Sequence, residues 1–234
     1  MATTGGPNIV NDGLVFAIDA GSKRSYTGTG TSVNDLSGNH SGGTLSLGTS
    51  FESHYFNFDG SDDSLAFATD DIFERGTLPF TMEAWVRLND NTGTSNISAV
   101  MGGGNPLCDG CDGGYFIYFM GSTSKTINLR FDDSGLGNMD SVSYTRNTTF
   151  EDGKFYHIVG LRDGTNTKIY LDGALVATGT DNGTNVNDIS TFYVSGWSNY
   201  RGDMDVAVSK IYNQSLSASQ ILQNYNASKS RFGK

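Results

Sequence analysis

Residues 155–178 read FYHIVGLRDGTNTKIYLDGALVAT, three short apolar segments at 155–161, 168–171 and 174–178. They are separated by Asp163-Gly164-Thr165-Asn166 and by Asp172-Gly173. A two-residue hairpin of type I′ needs positive φ at both central positions, which Asp and Gly adopt at low cost, so Asp-Gly between strand-forming residues signals a tight hairpin. The stretch therefore predicts a three-stranded antiparallel meander.

The same punctuation extends across the chain. Gly contributes 31 of 234 residues and Pro only 3, and Gly, Ser, Thr, Asn and Asp recur between short apolar runs, the pattern of many strands joined by tight turns. No Pro-rich or charged linker interrupts it, so residues 13–234 are expected to form one β domain preceded by an N-terminal arm, residues 1–12. The formal charge is −10, from 15 basic and 25 acidic residues, without a basic cluster, which argues against nucleic acid as a partner. No run reaches the roughly 20 apolar residues of a membrane helix. The polar start MATTGGPNIVNDG lacks the basic and apolar regions of a secretory signal, which predicts synthesis in a cytoplasm and no membrane partner.

Outward from the meander, residues 80–88 (FTMEAWVRL) alternate most clearly, with Phe80, Met82, Ala84, Val86 and Leu88 on one face and Thr81, Glu83, Trp85 and Arg87 on an outward face. Strands are also expected at 14–18, near 43–47, at 98–101, at 115–120 in a central position, at 127–131, around Val142 and Tyr144, and at 191–195. Residues 55–58 and 64–67 flank Asp59-Gly60-Ser61-Asp62-Asp63 and read as another hairpin. The strand at 204–211 breaks its alternation, which predicts a bulge near Ser209. Ser217-Ala218-Ser219-Gln220 fits a capping box, so one helix is expected over 218–227, with Ile221, Leu222 and Tyr225 on its packed face. Short strands throughout and a single late helix indicate two packed antiparallel sheets.

The order of GLVFAIDAGSKRSY, NDLSGNHSGGTL, YFNFDGSDDSLAF, FTMEAWVRL, FYHIVGLRDG, KIYLDGALV and KIYNQSLSASQILQNYNASKSRFG resembles the laminin-G-like, concanavalin A-type jelly-roll family. The resemblance implies an all-β fold, a two-sheet antiparallel jelly-roll sandwich with one short C-terminal helix. The ends, GGPNIVNDGLVFAIDA and ILQNYNASKSRFG, resemble stand-alone jelly-roll proteins of tailed, especially marine, bacteriophages. That likeness implies a non-enzymatic virion structural protein, a capsid decoration or head-fibre subunit located in the virion. Its partners would be other virion proteins and further copies of itself. The alternative is a carbohydrate-binding, lectin-like module that attaches to host glycans.

Candidate chemistry is sparse. Glycoside hydrolysis needs two carboxylates flanking the scissile bond, and the Glu-x-Asp-x-Glu arrangement of superfamily glucanases does not occur, Glu83 having no acid two residues away. No Gly-x-Ser-x-Gly elbow accompanies His40, His54 or His157, and His157 is expected to be a structural, hydrogen-bonded side chain. Cys108 and Cys111 form a lone Cys-x-x-Cys too few for structural zinc, leaving free thiols or a disulfide as the alternatives. Arg201-Gly202-Asp203 spells an adhesion tripeptide but reads as the opening of a strand. Asp59, Asp62 and Asp63 crowd one turn, the hard-oxygen chemistry of calcium, and many domains of the resembled family carry a structural calcium. Trp197, Asn199, Tyr200 and Arg201 combine aromatic plates with polar groups in one loop and form the candidate glycan site. The competing reading makes Trp197 and Tyr200 a cap on the sandwich.

Overall fold

The computed structural model describes residues 8–46, 48–91, 96–104, 113–133, 139–187, 189–197 and 199–234. Cys108, Cys111 and Leu47 lie outside them. In chain order the first strands are β1 (Leu14–Asp19), β2 (Ser32–Val33), β3 (Gly43–Leu45), β4 (Ser50–Glu52), β5 (Tyr55–Asp59) and β6 (Leu65–Ala68). Next come β7 (Phe80–Asp90), β8 (Ile97–Gly104), β9 (Gly114–Met120), β10 (Thr126–Asp132) and β11 (Met139–Thr145). The meander supplies β12 (Tyr156–Arg162), β13 (Asn166–Leu171) and β14 (Ala174–Thr180), followed by β15 (Thr191–Val194) and β16 (Asp203–Tyr212). Helix α1 (Ala218–Ser228) and a 3-10 turn (Lys229–Phe232) complete the order.

The strands form two antiparallel sheets. The first runs β14-β13-β12-β7-β16-β5-β4, with β1 also paired to β16, and the second runs β11-β10-β9-β8-β15-β6-β3-β2. The meander is built as its turns require: Leu171 pairs with Ala174, leaving Asp172 and Gly173 as a two-residue loop with φ of 49° and 81°. Strand β9 sits between β8 and β10, in the central position expected from its apolar faces.

Alternate residues of each sheet meet between the layers. Phe80, Met82, Ala84, Val86 and Leu88 of β7 all enter this core, with Ile117 and Phe119 of β9 and Leu129 and Phe131 of β10 opposite. Phe73 and Phe192 stack at 4.4 Å with Phe16 edge-on to both, and each such side chain taken from water contributes about 1.5–3 kcal/mol.

Local expectations are corrected at two places in the sheets. Strands β5 and β6 do not form a hairpin. Strand β5 pairs with β4 and β16 in the first sheet, and β6 with β3 and β15 in the second, so residues 59–64 cross between the layers. Phe56 and Phe58 thereby face Leu65 and Phe67 across the core, which pairing in one sheet would prevent. The register of β16 on β7 shifts between Asp203 and Met204 and again between Val206 and Val208, the second next to the bulge expected near Ser209. There the strand changes neighbour, pairing with β5 through Val206 and with β1 from Val208. The second correction concerns β7: the outward residues Thr81, Glu83 and Trp85 are wholly buried, because α1 and the flanking segments cover that face.

The cover is fixed by its caps and by one aromatic stack. Ser217 accepts from the Gln220 N–H while Gln220 accepts from the Ser217 N–H, the expected capping box. Helix α1 buries Ile221 and Asn224 and leaves Leu222 exposed, so the packed face is rotated from the expected one. The rotation brings a polar side chain onto the buried Glu83, where an apolar one would leave the carboxylate short of a donor. Trp85 stacks on Phe232 at 4.2 Å and on Tyr225 at 5.8 Å, and its indole N–H donates to Ser228 Oγ at 2.8 Å.

Candidate functional site

The loop after β15 folds back over the outward face of the second sheet. Ser195 N–H donates to the Val100 carbonyl and Ala99 N–H to the Tyr200 carbonyl, both at 2.9 Å, so the loop is tied to β8 at each side. Tyr200 N–H donates to the Trp197 carbonyl at 2.9 Å and closes the turn between them. The two rings stack at 5.0 Å with 5° between their planes, and Trp197 packs on Phe116 at 5.1 Å. Trp197 is thus held between Phe116 and Tyr200 above Ala99, Phe116 and Tyr118. Asn199 is exposed, and Tyr200 and Arg201 are half-buried.

Beside this stack the sheet presents ordered polar rows. Register places Ser143, Asn128, Tyr118 and Ala99 across four strands, and Ser141, Arg130 and Phe116 across three. Asn128 Nδ2 donates to Ser143 Oγ at 2.7 Å, while Asn128 Oδ1 is buried without a hydrogen-bond partner. Burial holds the Tyr118 hydroxyl above its usual pKa, with Arg130 pulling the other way. Asp132, the acid of the outward row, is engaged by Arg130 at 2.8 Å. The sequence did not mark this row as a site, because β9, which supplies Phe116 and Tyr118, is apolar on both faces. The alternation of Asn128, Arg130 and Asp132 was the available signal.

The acidic turn adjoins the loop. Gly196 has φ of 80°, and a Cβ there would lie 2.3 Å from the Asp63 carbonyl oxygen. Two segments far apart in sequence, 59–63 and 196–201, therefore touch at one end of the sandwich. Asp59, Asp62 and Asp63 bring one carboxylate oxygen each within 4.8 Å of one another. Asp63 is buried; its Oδ2 accepts from the Asp59 N–H at 3.0 Å and its Oδ1 has no partner. Burial raises the Asp63 carboxyl above its ordinary range, and the neighbouring Asp59 and Asp62 add to the rise. An unpartnered buried carboxylate oxygen beside two exposed carboxylates fits a hard cation.

The remaining sequence candidates have structural surroundings. His157 Nε2 lies 3.2 Å from Glu83 Oε1 with both side chains wholly buried. Glu83 also accepts from Lys210 Nζ and from Asn224 Nδ2, each at 2.6 Å, so its carboxylate is fully engaged beneath α1. In the adhesion tripeptide Gly202 is buried, and Asp203 Oδ1 accepts from Asn89 Nδ2 at 3.0 Å. Asp203 opens β16, so the tripeptide leads into the sheet.

Comparison with known proteins fits this geometry. A laminin G family profile, described as the Concanavalin A-like lectin/glucanases superfamily, matches residues 59–222. The binding domain of Paraclostridial Mosquitocidal Protein 1 superposes with a TM-score of 0.69 at 14% identity, over 93% of this chain and 52% of its own length. The botulinum neurotoxin serotype D binding domain gives 0.69 at 13%, over 92% and 52%. A Trypanosoma rangeli sialidase in complex with sialic acid gives 0.65 at 18%, over 94% and 33%. The chain spans about half the length of the toxin domains and a third of the sialidase, and at these identities the likeness is one of jelly-roll fold. No curated protein matches the sequence.

Proposed function

The chain belongs to the concanavalin A-like lectin/glucanases superfamily, and from that membership we propose that it is a carbohydrate-binding module acting through the outward face of its second sheet, at the Trp197–Tyr200 loop. The observation that carries the reading is the Trp197–Tyr200 stack, a flat aromatic plate beside the polar rows of Asn128, Ser143 and Arg130. Sugar rings present apolar C–H faces and hydroxyl edges, and a plate with adjacent donors and acceptors matches both. Trp197 is clamped on its far side by Phe116, so it holds the plate in place and Tyr200 offers the contact surface.

Binding without turnover is supported by the state of the nearby acids. Asp132 is paired with Arg130, and Asp140 accepts from Asn182 and Thr184 and anchors that segment. Calcium on Asp59, Asp62 and Asp63 would brace the crossing that touches the Tyr200 loop through Gly196. The virion role rests on likeness of the chain ends to phage proteins. In the fold the described parts of both ends are used to cover the first sheet. On a virion, such a module would serve host attachment.

The test is retention on a broad glycan array. Specific retention that weakens about tenfold in Tyr200→Ala, with an unchanged melting temperature, supports the reading. A blank array, or retention indifferent to Tyr200→Ala, overturns it.

A further inference from the structure

On the other side of the molecule an open cavity of about 450 Å³ lies where β5, β7 and the segment leading into β12 meet the C-terminal turn. Arg87, Lys154, Arg231 and Lys234 line it together with His54, and no Asp or Glu does. In a chain with 25 acidic residues against 15 basic ones this is a strong local inversion of charge. The compensating carboxylates stand behind the cations. Asp205, which accepts from Arg87 at 2.5 Å, has a side chain only 1% exposed. Arg231 is held by Asp19 at 2.7 Å and Lys234 by Asp172 at 2.7 Å, neither acid being part of the lining.

The walls are aromatic. Arg87 lies 5.0 Å from the ring centroids of both Tyr55 and Phe155, and Arg231 lies 5.0 Å from that of Phe232. These stacks fix two guanidinium groups that would otherwise be mobile, so little ordering remains for a ligand to supply. His54 reports the resulting field: its imidazole is held below its usual pKa by burial, then by Arg231 and Arg87. Lys154 stands at the rim with a side chain 64% exposed, paired with Asp152 at 3.2 Å, an acid that is likewise not part of the lining.

We propose that this cavity is a second binding site, for an anionic saccharide, in which a carboxylate or sulfate meets the cations of Arg87, Arg231 and Lys154 and the sugar ring lies against the half-buried rings of Tyr55 and Phe232. The anion is inferred from the lining itself. The saccharide rests on the carbohydrate-binding reading above. Guanidinium groups suit planar carboxylates and sulfates alike, so both anions share one chemistry here.

Titration calorimetry with an oligogalacturonate, a sulfated galactan oligosaccharide, a neutral galactan oligosaccharide and inorganic sulfate tests the proposal. Binding of at least one acidic oligosaccharide is expected, weakening as salt rises and falling about tenfold in Lys154→Glu and in Arg231→Gln. Lys154→Glu alters an exposed side chain, and an unchanged melting temperature separates its effect on binding from any effect on folding through Asp152. Tyr200→Ala should leave acidic binding intact, and its effect on the neutral oligosaccharide reports the other face independently. The relative affinities for oligogalacturonate and sulfated galactan identify the preferred acid. No acidic binding, or binding indifferent to Lys154→Glu and Arg231→Gln, would overturn the site. Inorganic sulfate bound as tightly as the oligosaccharides would overturn its assignment to a saccharide.

Discussion

Asn224 Nδ2 donates to Glu83 Oε2 at 2.6 Å beneath helix α1, and through this contact the middle of the first sheet holds both flanking segments. Asn224 Oδ1 accepts from the Val10 N–H at 2.8 Å, and Tyr212 Oη donates to the Val10 carbonyl at 3.1 Å. One side chain thus joins helix, strand and N-terminal segment. Asn224→Ala is expected to free residues 8–12 and loosen α1 while leaving the sandwich folded. Limited proteolysis should then cleave near residues 8–12 at a dilution of protease that spares the parent chain.

Glu83→Gln leaves the Lys210 ammonium buried without its counter-charge, an uncompensated state that costs about 3–5 kcal/mol. Denaturant titration should show the loss, and adding Lys210→Met should recover part of it. If Glu83→Gln were neutral, the ion pair would have no structural role.

The pH dependence follows from the same carboxylate. Burial alone would raise Glu83, but Lys210 and His157 outweigh it and hold the carboxyl below the ordinary 4.5. A depressed folded pKa gives stability that is complete above the unfolded value and lost as pH falls through the folded one. Melting temperature should therefore decline with acidification below about pH 4.5, and Glu83→Gln should flatten that decline.

Asp63 carries the opposite sign. Its raised carboxyl means that the folded chain disfavours the ionised form, a cost present at neutral pH and relieved as pH falls. Asp63→Asn should be at least as stable as the parent in chelator. Calcium at about 100 times its dissociation constant should stabilise the parent by about 2.7 kcal/mol and leave Asp63→Asn unmoved in a thermal melt.

Trp197 and Tyr200 should separate by readout. Trp197→Ala removes packing against Phe116 and should cost about 1–3 kcal/mol, below the ~3–5 of a fully buried aromatic. Tyr200→Ala should leave stability nearly unchanged and reduce glycan retention. The competing cap reading requires the two to lose stability alike.

Local signals carried much of the fold. The Asp172-Gly173 turn, the alternation of 80–88 and the Ser217–Gln220 box each specify conformation within a few residues, and each formed as expected. The crossing at 59–64 was misread because an Asp-Gly turn between apolar segments looks the same whether the strands pair or part. What decides it is the affinity of β5 for β16, nearly 150 residues later. Glu83 looked solvated for a similar reason, its cover being helix α1. The cationic cavity was illegible because His54, Arg87, Lys154, Arg231 and Lys234 share no motif and meet only through folding.

The position of β16 also bears on how the chain can be made. It lies between β7 and both β5 and β1, so three earlier strands have an unsatisfied edge until residues 203–212 leave the ribosome. At about 5–20 residues per second, synthesis of the stretch between Asp90 and Asp203 takes roughly 6–23 s, during which all three edges stay open. Closure of the first sheet is therefore a late event in translation. A product terminated before Asp203 would keep three strand edges open and be prone to aggregation and proteolysis, so the fold itself discriminates chains that carry β16 from those that lack it.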